Sequence, residues 1–146
     1  MLTAGIRELH PSETALALPA LRELRTHLTS VDDFVRRVDE GQRPEGYRLV
    51  GVFEEGDGAP VAVAGFRIGS SLAWGRYLYV DDLVTKAAFR GRGHGSALMH
   101  WLVEEAQRLG CDSLHLDSGT QRHDAHRFYL DHGLHIPGFH FTRRVG

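Results

Sequence analysis

The stretch Arg90-Gly91-Arg92-Gly93-His94-Gly95-Ser96 alternates three glycines with two arginines and a histidine. An apolar segment ending in Asp81-Asp82-Leu83-Val84-Thr85 precedes it, and an amphipathic run from Ala97 to Leu109 follows it. Glycine reaches positive φ and carries no Cβ, so a ligand can come close to the backbone. The first N–H groups of a helix lack intrahelical partners and sit at the positive end of its dipole. Strand, tight loop and helix start in this order therefore make an anion site, with phosphate the ligand it suits best. Arg90 and Arg92 beside such a nest can add charge-assisted hydrogen bonds. His94 is expected to present only its backbone.

Other groups could move protons. Tyr79, Asp81 and Leu83 alternate onto one face of a strand, which leaves Asp82 on the other. Asp117 ends the strand after the long helix, and Tyr129 lies on a short helix further on. The ten histidines form no recognisable metal set. His123 and His126 are three apart and His132 and His135 straddle a glycine, but no carboxylate or cysteine completes a ligand group, so no metal is expected. Cys111, the single cysteine, cannot form an internal disulfide and reads as a small buried hydrophobe.

These residues need a scaffold, and the pattern supplies one. Ala4 to Leu9 has strand character. Ser12 opens a helix whose apolar positions are Leu16, Leu18, Leu21, Leu24 and Leu28, and Pro19 should break or kink it near Leu18. Ser30 with Asp33 resembles a capping box for a second helix, Val31 to Glu40. Tyr47–Glu54 and Pro60–Ile68 are strands around Glu55-Gly56-Asp57-Gly58, and Arg76–Thr85 is a third strand after a turn over 69–75. The pattern then becomes strand, helix, strand. The helix spans roughly Gly93 to Leu109 and stops at Gly110. Ser113 to Asp117 should lie parallel to Arg76–Thr85 through a right-handed crossover. A short helix from Asp124 to His132 and an extended stretch from Phe139 to Val145 complete an α/β (α+β) fold with one mixed sheet flanked by helices.

A chain of 146 residues suits one domain, 1–146, with its own core. Hydrophobic content of 42% and charged content of 25% are ordinary for a globular protein. The net charge of −2, with scattered basic residues, gives no reason to expect nucleic acid or a membrane as partner. No apolar run is long enough to span a bilayer and no signal pattern opens the chain, so a cytoplasmic location is the default.

Nucleotide folds do not fit. The Rossmann fingerprint, counted from Gly91 and Gly93, needs a third Gly or Ala where Ser96 stands, and no ribose-binding acid follows at the right distance. A Walker A loop would need Gly-Lys-Ser/Thr. The antiparallel meander before the loop is also wrong for a doubly wound sheet. Loop and element order instead resemble the GNAT superfamily of N-acetyltransferases. Arg90-Gly91-Arg92-Gly93-His94-Gly95 matches its Arg/Gln-x-x-Gly-x-Gly/Ala motif. Ala125-His126-Arg127-Phe128-Tyr129 followed by Gly133-Leu134 is similar to its Ala-x-x-Phe-Tyr-x-x-x-Gly-Phe segment. The resemblance covers nearly the whole chain. It implies that acetyl-CoA (acetyl-coenzyme A) is the acetyl donor, its pyrophosphate held by N–H groups from Gly91 to Ser96 and its pantetheine arm by Leu83, Val84 and Thr85. Members of this family often dimerise, so a homodimer is among the expected states.

Acetyl transfer to an amine requires a neutral amine, a polarised thioester carbonyl and a proton for the leaving thiolate. An alkyl amine has a pKa near ~10.4, so only about one in two or three thousand is neutral at pH 7, a cost of roughly 4–5 kcal/mol. A general base lowers that cost, and a backbone N–H on the strand ending at Thr85 can serve the oxyanion. The resemblance implies Tyr129 as general acid. It implies Asp81, then Asp117, as general base. Carboxylates near the cleft favour a cationic acceptor, a small-molecule or protein amine. Arg122 stands where many relatives carry Asn, and since it cannot accept a hydrogen bond it is expected to reach a coenzyme phosphate or an acidic group on the acceptor. The alternatives are a non-catalytic acyl-CoA-binding or sensing module, and acyl transfer to oxygen or with a longer acyl chain.

Overall fold

The structure, a computed structural model, describes residues 5–146. Its chain divides into two compact units, a larger one ending at His115 and a smaller one, Leu116–Gly146. Ala4, the first residue of the expected opening strand, lies outside the described residues.

The elements follow the order β1 (Gly5–Leu9), α1 (Leu18–Leu24), α2 (Val31–Arg36), β2 (Arg48–Phe53), β3 (Ala62–Ser71), β4 (Gly75–Thr85), α3 (His94–Arg108), β5 (Ser113–Leu116) and α4 (His123–Asp131). The strands form one mixed sheet in sequence order, β1-β2-β3-β4-β5, with antiparallel pairing from β1 through β4. The expected meander is therefore present. β5 has only four residues against the eleven of β4 and begins where the Asp112 N–H donates to the Arg76 carbonyl. At about 3.3 Å per residue it can flank only the first part of β4. The far half of β4, from Asp81 to Thr85, is left with one strand neighbour, β3.

Alternation along the strands gives the sheet two apolar faces. On one face, Leu49, Val63 and Val84 pack with Leu18, Leu21, Phe34 and Val38 from the helical segments before β2. On the other, Phe66 and Leu78 are fully buried along with Leu98 and Leu102 of α3, and the Phe66 and Trp101 rings meet edge to face at 5.7 Å. At ~25 cal/mol per Å² of apolar surface removed from water, these two layers supply the main driving force for folding.

Two expected elements differ. The first helix begins as a 3₁₀ turn over Pro11–Ala17 and becomes α-helical only at Leu18, where Pro19 occupies the first turn and needs no intrahelical donor. The second starts as expected, with the Ser30 hydroxyl accepting from the Asp33 N–H at 3.2 Å, but it widens into a π-helical turn over Arg37–Gln42. There Asp39 accepts a tertiary bond from the Thr14 hydroxyl at 2.7 Å and a local one from Arg43, four residues on, at 3.0 Å. The stretch 139–145 belongs to no helix or strand, and Phe139, Phe141 and Val145 are exposed. Among the described residues, no helix is long and apolar enough to cross a membrane.

Candidate functional site

β4 leads into the glycine loop through a 3₁₀ turn over Ala87–Phe89. Gly91 and Gly93 adopt φ of 81° and 83°, a region open to glycine at little cost, and a Cβ at either would point into open space. Gly93 serves as N-cap of α3, and the first helical bond runs from the Ala97 N–H to the Gly93 carbonyl. The amides of His94 and Gly95 precede that bond, so they have no carbonyl within the helix to donate to. The fifteen residues of α3 align their dipole on this point.

What holds the loop was not legible in the sequence. Glu54, just past β2, is 7% exposed and sits beneath it. One of its oxygens accepts from Arg92 Nη1 and the other from His94 Nε2, each at 2.6 Å. The bond to His94, ahead of burial, holds the Glu54 carboxyl below its ordinary pKa. His94 therefore does more than present its backbone. Its side chain is buried and ties the helix start to the sheet. Arg92 is anchored as well, with its guanidinium 5.0 Å from the Phe89 ring centroid. Arg90 makes only a long contact, 3.4 Å, to the Thr85 carbonyl. Val84 points into the core, which leaves only its backbone groups available to a neighbour.

A second cluster lies on the same strand. The β3–β4 register shifts between Gly65 and Phe66: Phe66 pairs with Val80 and Gly65 with Asp82, which makes Asp81 the extra residue of a bulge. The simple alternation expected for Tyr79, Asp81, Leu83 and Asp82 is broken there. Both aspartates line one pocket of about 250 Å³. Asp81 accepts from Arg67 Nε at 2.8 Å. Asp82 accepts from Arg25 Nε at 2.9 Å and from the Tyr47 hydroxyl at 2.6 Å. Burial pushes the Asp81 carboxyl above its ordinary pKa, with Arg67 opposing the rise. Burial, reinforced by Asp82, also pushes the Tyr47 phenol up, so it stays a donor. Arg25, Arg67 and Tyr47 are scattered over 42 positions of sequence. No spacing rule links them to Asp81, and only the bulge brings them together.

The smaller unit holds the remaining candidates. Tyr129 on α4 is partly buried, and its phenol is pushed above its ordinary pKa by burial against the opposing charge of Arg122. Arg122 thus acts on a tyrosine of its own unit, an effect not foreseen from sequence. Asp117 is half exposed and lies 3.6 Å from His140 Nδ1. His126 Nε2 donates to the Gly119 carbonyl at 2.7 Å, which gives that side chain a structural task.

Comparison with known proteins adds three findings. A family model described as the acetyltransferase (GNAT) family matches residues 15–134. The chain is 34% identical over 134 residues to the uncharacterized N-acetyltransferase YhdJ of Bacillus subtilis (strain 168), covering 91% of this chain and 92% of that one. Among solved structures, a transcriptional regulator from Bacillus halodurans C-125 shares the fold at TM-score 0.83 and 22% identity, over 98% of this chain and 100% of the other. The aminoglycoside N-acetyltransferase AAC(6')-Iy in complex with CoA does so at TM-score 0.83 and 13% identity, over 99% and 96%.

Proposed function

This chain belongs to the acetyltransferase (GNAT) family, and from that premise we propose how its residues divide the work of acetyl transfer. It is an N-acetyltransferase with acetyl-CoA as donor and an amine as acceptor. The family match runs from the larger unit into the smaller, which supports reading residues 1–146 as one acetyltransferase domain.

The backbone N–H groups between Gly91 and Ser96 hold the donor's pyrophosphate, and Arg92 adds a fixed positive charge beside them. The fit rests on the open space over two positive-φ glycines at the start of a long helix. Along the far half of β4, Leu83, Val84 and Thr85 offer backbone groups to the pantetheine arm on the edge that β5 is too short to cover. A backbone N–H there serves the thioester oxygen as charge develops on it.

The acceptor amine enters the pocket beside Asp81. Its neutral nitrogen attacks the thioester carbon, the C–N bond forms and the C–S bond breaks. The proton lost by nitrogen goes to the Asp81 carboxylate, directly or through water. The coenzyme sulfur takes a proton from the Tyr129 hydroxyl. Tyr129 has a raised pKa, so it stays protonated until a thiolate appears. Arg122 stabilises the phenolate left behind, the direction in which it acts on the Tyr129 pKa. Asp117 is the second choice as base, because it is more exposed and lies beside His140.

The observation that carries the catalytic reading is Asp81: a bulged carboxylate lining the pocket, with a pKa raised mainly by burial. A base gains strength when its pKa approaches the working pH, and a pure binding module would have no use for the arrangement. The test is thiol release from acetyl-CoA over an amine panel, with Asp81→Asn and Asp117→Asn compared across pH. The expected result is a large loss of turnover for Asp81→Asn and a modest one for Asp117→Asn. Wild-type turnover in Asp81→Asn would remove it from the mechanism.

A further inference from the structure

The pocket around Asp81 has more positive than negative side chains. Three guanidinium groups, from Arg25, Arg37 and Arg67, line it against two carboxylates, Asp81 and Asp82. Both carboxylates are already engaged. Arg67 gives Nε to Asp81 and Nη2 to Gln42 Oε1 at 2.8 Å. Arg25 gives Nε to Asp82 and Nη2 to the Asp81 carbonyl at 2.9 Å. These two arginines therefore brace the acids, and a positively charged acceptor would have to compete with them. Arg37 is different. It reaches Asp33 at 3.3 Å, but Asp33 also pairs with Arg36, so one carboxylate serves two guanidiniums. The Arg37 side chain is 57% exposed at the rim of the pocket. Apolar side chains, Leu21, Leu28, Phe34 and Val38, complete the lining.

We infer that the acceptor is a small amine that carries its own oxyanion, a carboxylate, sulfonate or phosphonate, a few bonds from the nitrogen. The oxyanion binds Arg37, an apolar spacer lies on the leucines and Phe34, and the amine reaches Asp81. A guanidinium fork matches a planar or tetrahedral oxyanion with two parallel N–H···O bonds, which a neutral or cationic end group cannot accept. The volume, about 250 Å³, suits a compact molecule and falls below the ~300–1,000 Å³ of drug-sized pockets. The cationic acceptor suggested by the carboxylates in the sequence is disfavoured, since their charge is spent on arginines. This inference rests on the pocket being the acceptor site with Asp81 as base.

The test uses acceptors matched except at the end away from the reacting amine: β-alanine, taurine and 2-aminoethylphosphonate with an anionic end group, 3-amino-1-propanol with a neutral one and 1,3-diaminopropane with a cationic one. Thiol release gives kcat and KM for each, and calorimetric titration of the CoA-loaded protein gives binding without turnover. At least one anionic amine should exceed the neutral one in kcat/KM by on the order of tenfold or more, the scale of one charge-assisted hydrogen bond. Arg37→Gln should erase that preference by raising KM for the anionic amine, and Arg37→Glu should turn it toward the diamine. Arg37→Lys should keep part of it. The carboxylate, sulfonate and phosphonate arms identify the oxyanion. Efficient transfer to the neutral amine or the diamine, with the anions no better bound, overturns the inference and leaves the catalytic reading intact. Anion binding that Arg37→Gln abolishes, without thiol release from any amine, leaves the anion site standing and sinks the catalytic reading. Neither binding nor release overturns both.

Discussion

Gly65→Ala should destabilise the protein and damage the pocket around Asp81 together. A Cβ built at Gly65 would lie 2.7 Å from Cε1 of the Tyr47 ring, and closer still to Cζ and the hydroxyl. Carbon atoms rest at about 3.5–4.0 Å and a carbon–oxygen pair only slightly closer, so the hydroxyl end of the ring would have to retreat by about 1.5 Å. Tyr47 is 6% exposed and packed in the core, so it has little space to do so. Overpacking of this kind costs roughly 1–3 kcal/mol. The retreat also breaks the 2.6 Å bond from the Tyr47 hydroxyl to Asp82, and a bond to a charged group contributes roughly 1.5–3 kcal/mol. Arg25 still pairs with Asp82 and limits that loss, so the total should be about 3 kcal/mol. For a chain of this length, each kcal/mol shifts Tm by about 2–4 °C, which gives a fall of about 6–12 °C. Thermal unfolding followed by fluorescence would measure it. Tyr47→Phe isolates the hydrogen bond, and the double variant should fall short of additivity by about 1 kcal/mol or more, because one bond cannot be lost twice. A Gly65→Ala melting point within about 2 °C of wild type, or strict additivity, would refute the close packing of Tyr47 over the bulge.

Other consequences can be checked separately. Asp81→Asn should abolish the limb of the pH–rate profile that rises as the base ionises. Because the Asp81 pKa is raised, that limb should lie above pH 3.8, the ordinary aspartate value. Tyr129→Phe should lower turnover sharply while acetyl-CoA binding, measured by calorimetry, stays nearly intact; unchanged turnover would exclude it as the acid. Glu54→Gln should raise KM for acetyl-CoA more than KM for the acceptor, since it loosens the loop through Arg92 and His94. Glu105 is held at a pKa of about 2 by Arg108 first and Arg48 second. Its depressed value means stability present above the unfolded pKa of ~4.5 and lost as pH falls from there toward about 2. Glu105→Gln should flatten that part of an acid-unfolding curve.

The local parts of this protein could be read from the chain. The glycine loop at the start of α3 needs only residue types in order, because positive φ and unpaired first-turn amides are properties of a few neighbouring residues. The meander, the long helix and the Pro19 break follow from period and turn chemistry in the same way. Motif spacing likewise singled out Asp81 and Tyr129. Their surroundings were not legible. Glu54 lies 40 residues from His94, and Arg25 lies 57 from Asp82. A one-residue bulge in β4 turned two successive aspartates toward one pocket, against the alternation that strand periodicity dictates. The charge available to an acceptor depends on which carboxylates are already paired, and pairing is decided by side chains that meet only after the sheet has formed. The glycine loop is thus written in local sequence, whereas the character of the pocket around Asp81 arises from long-range packing.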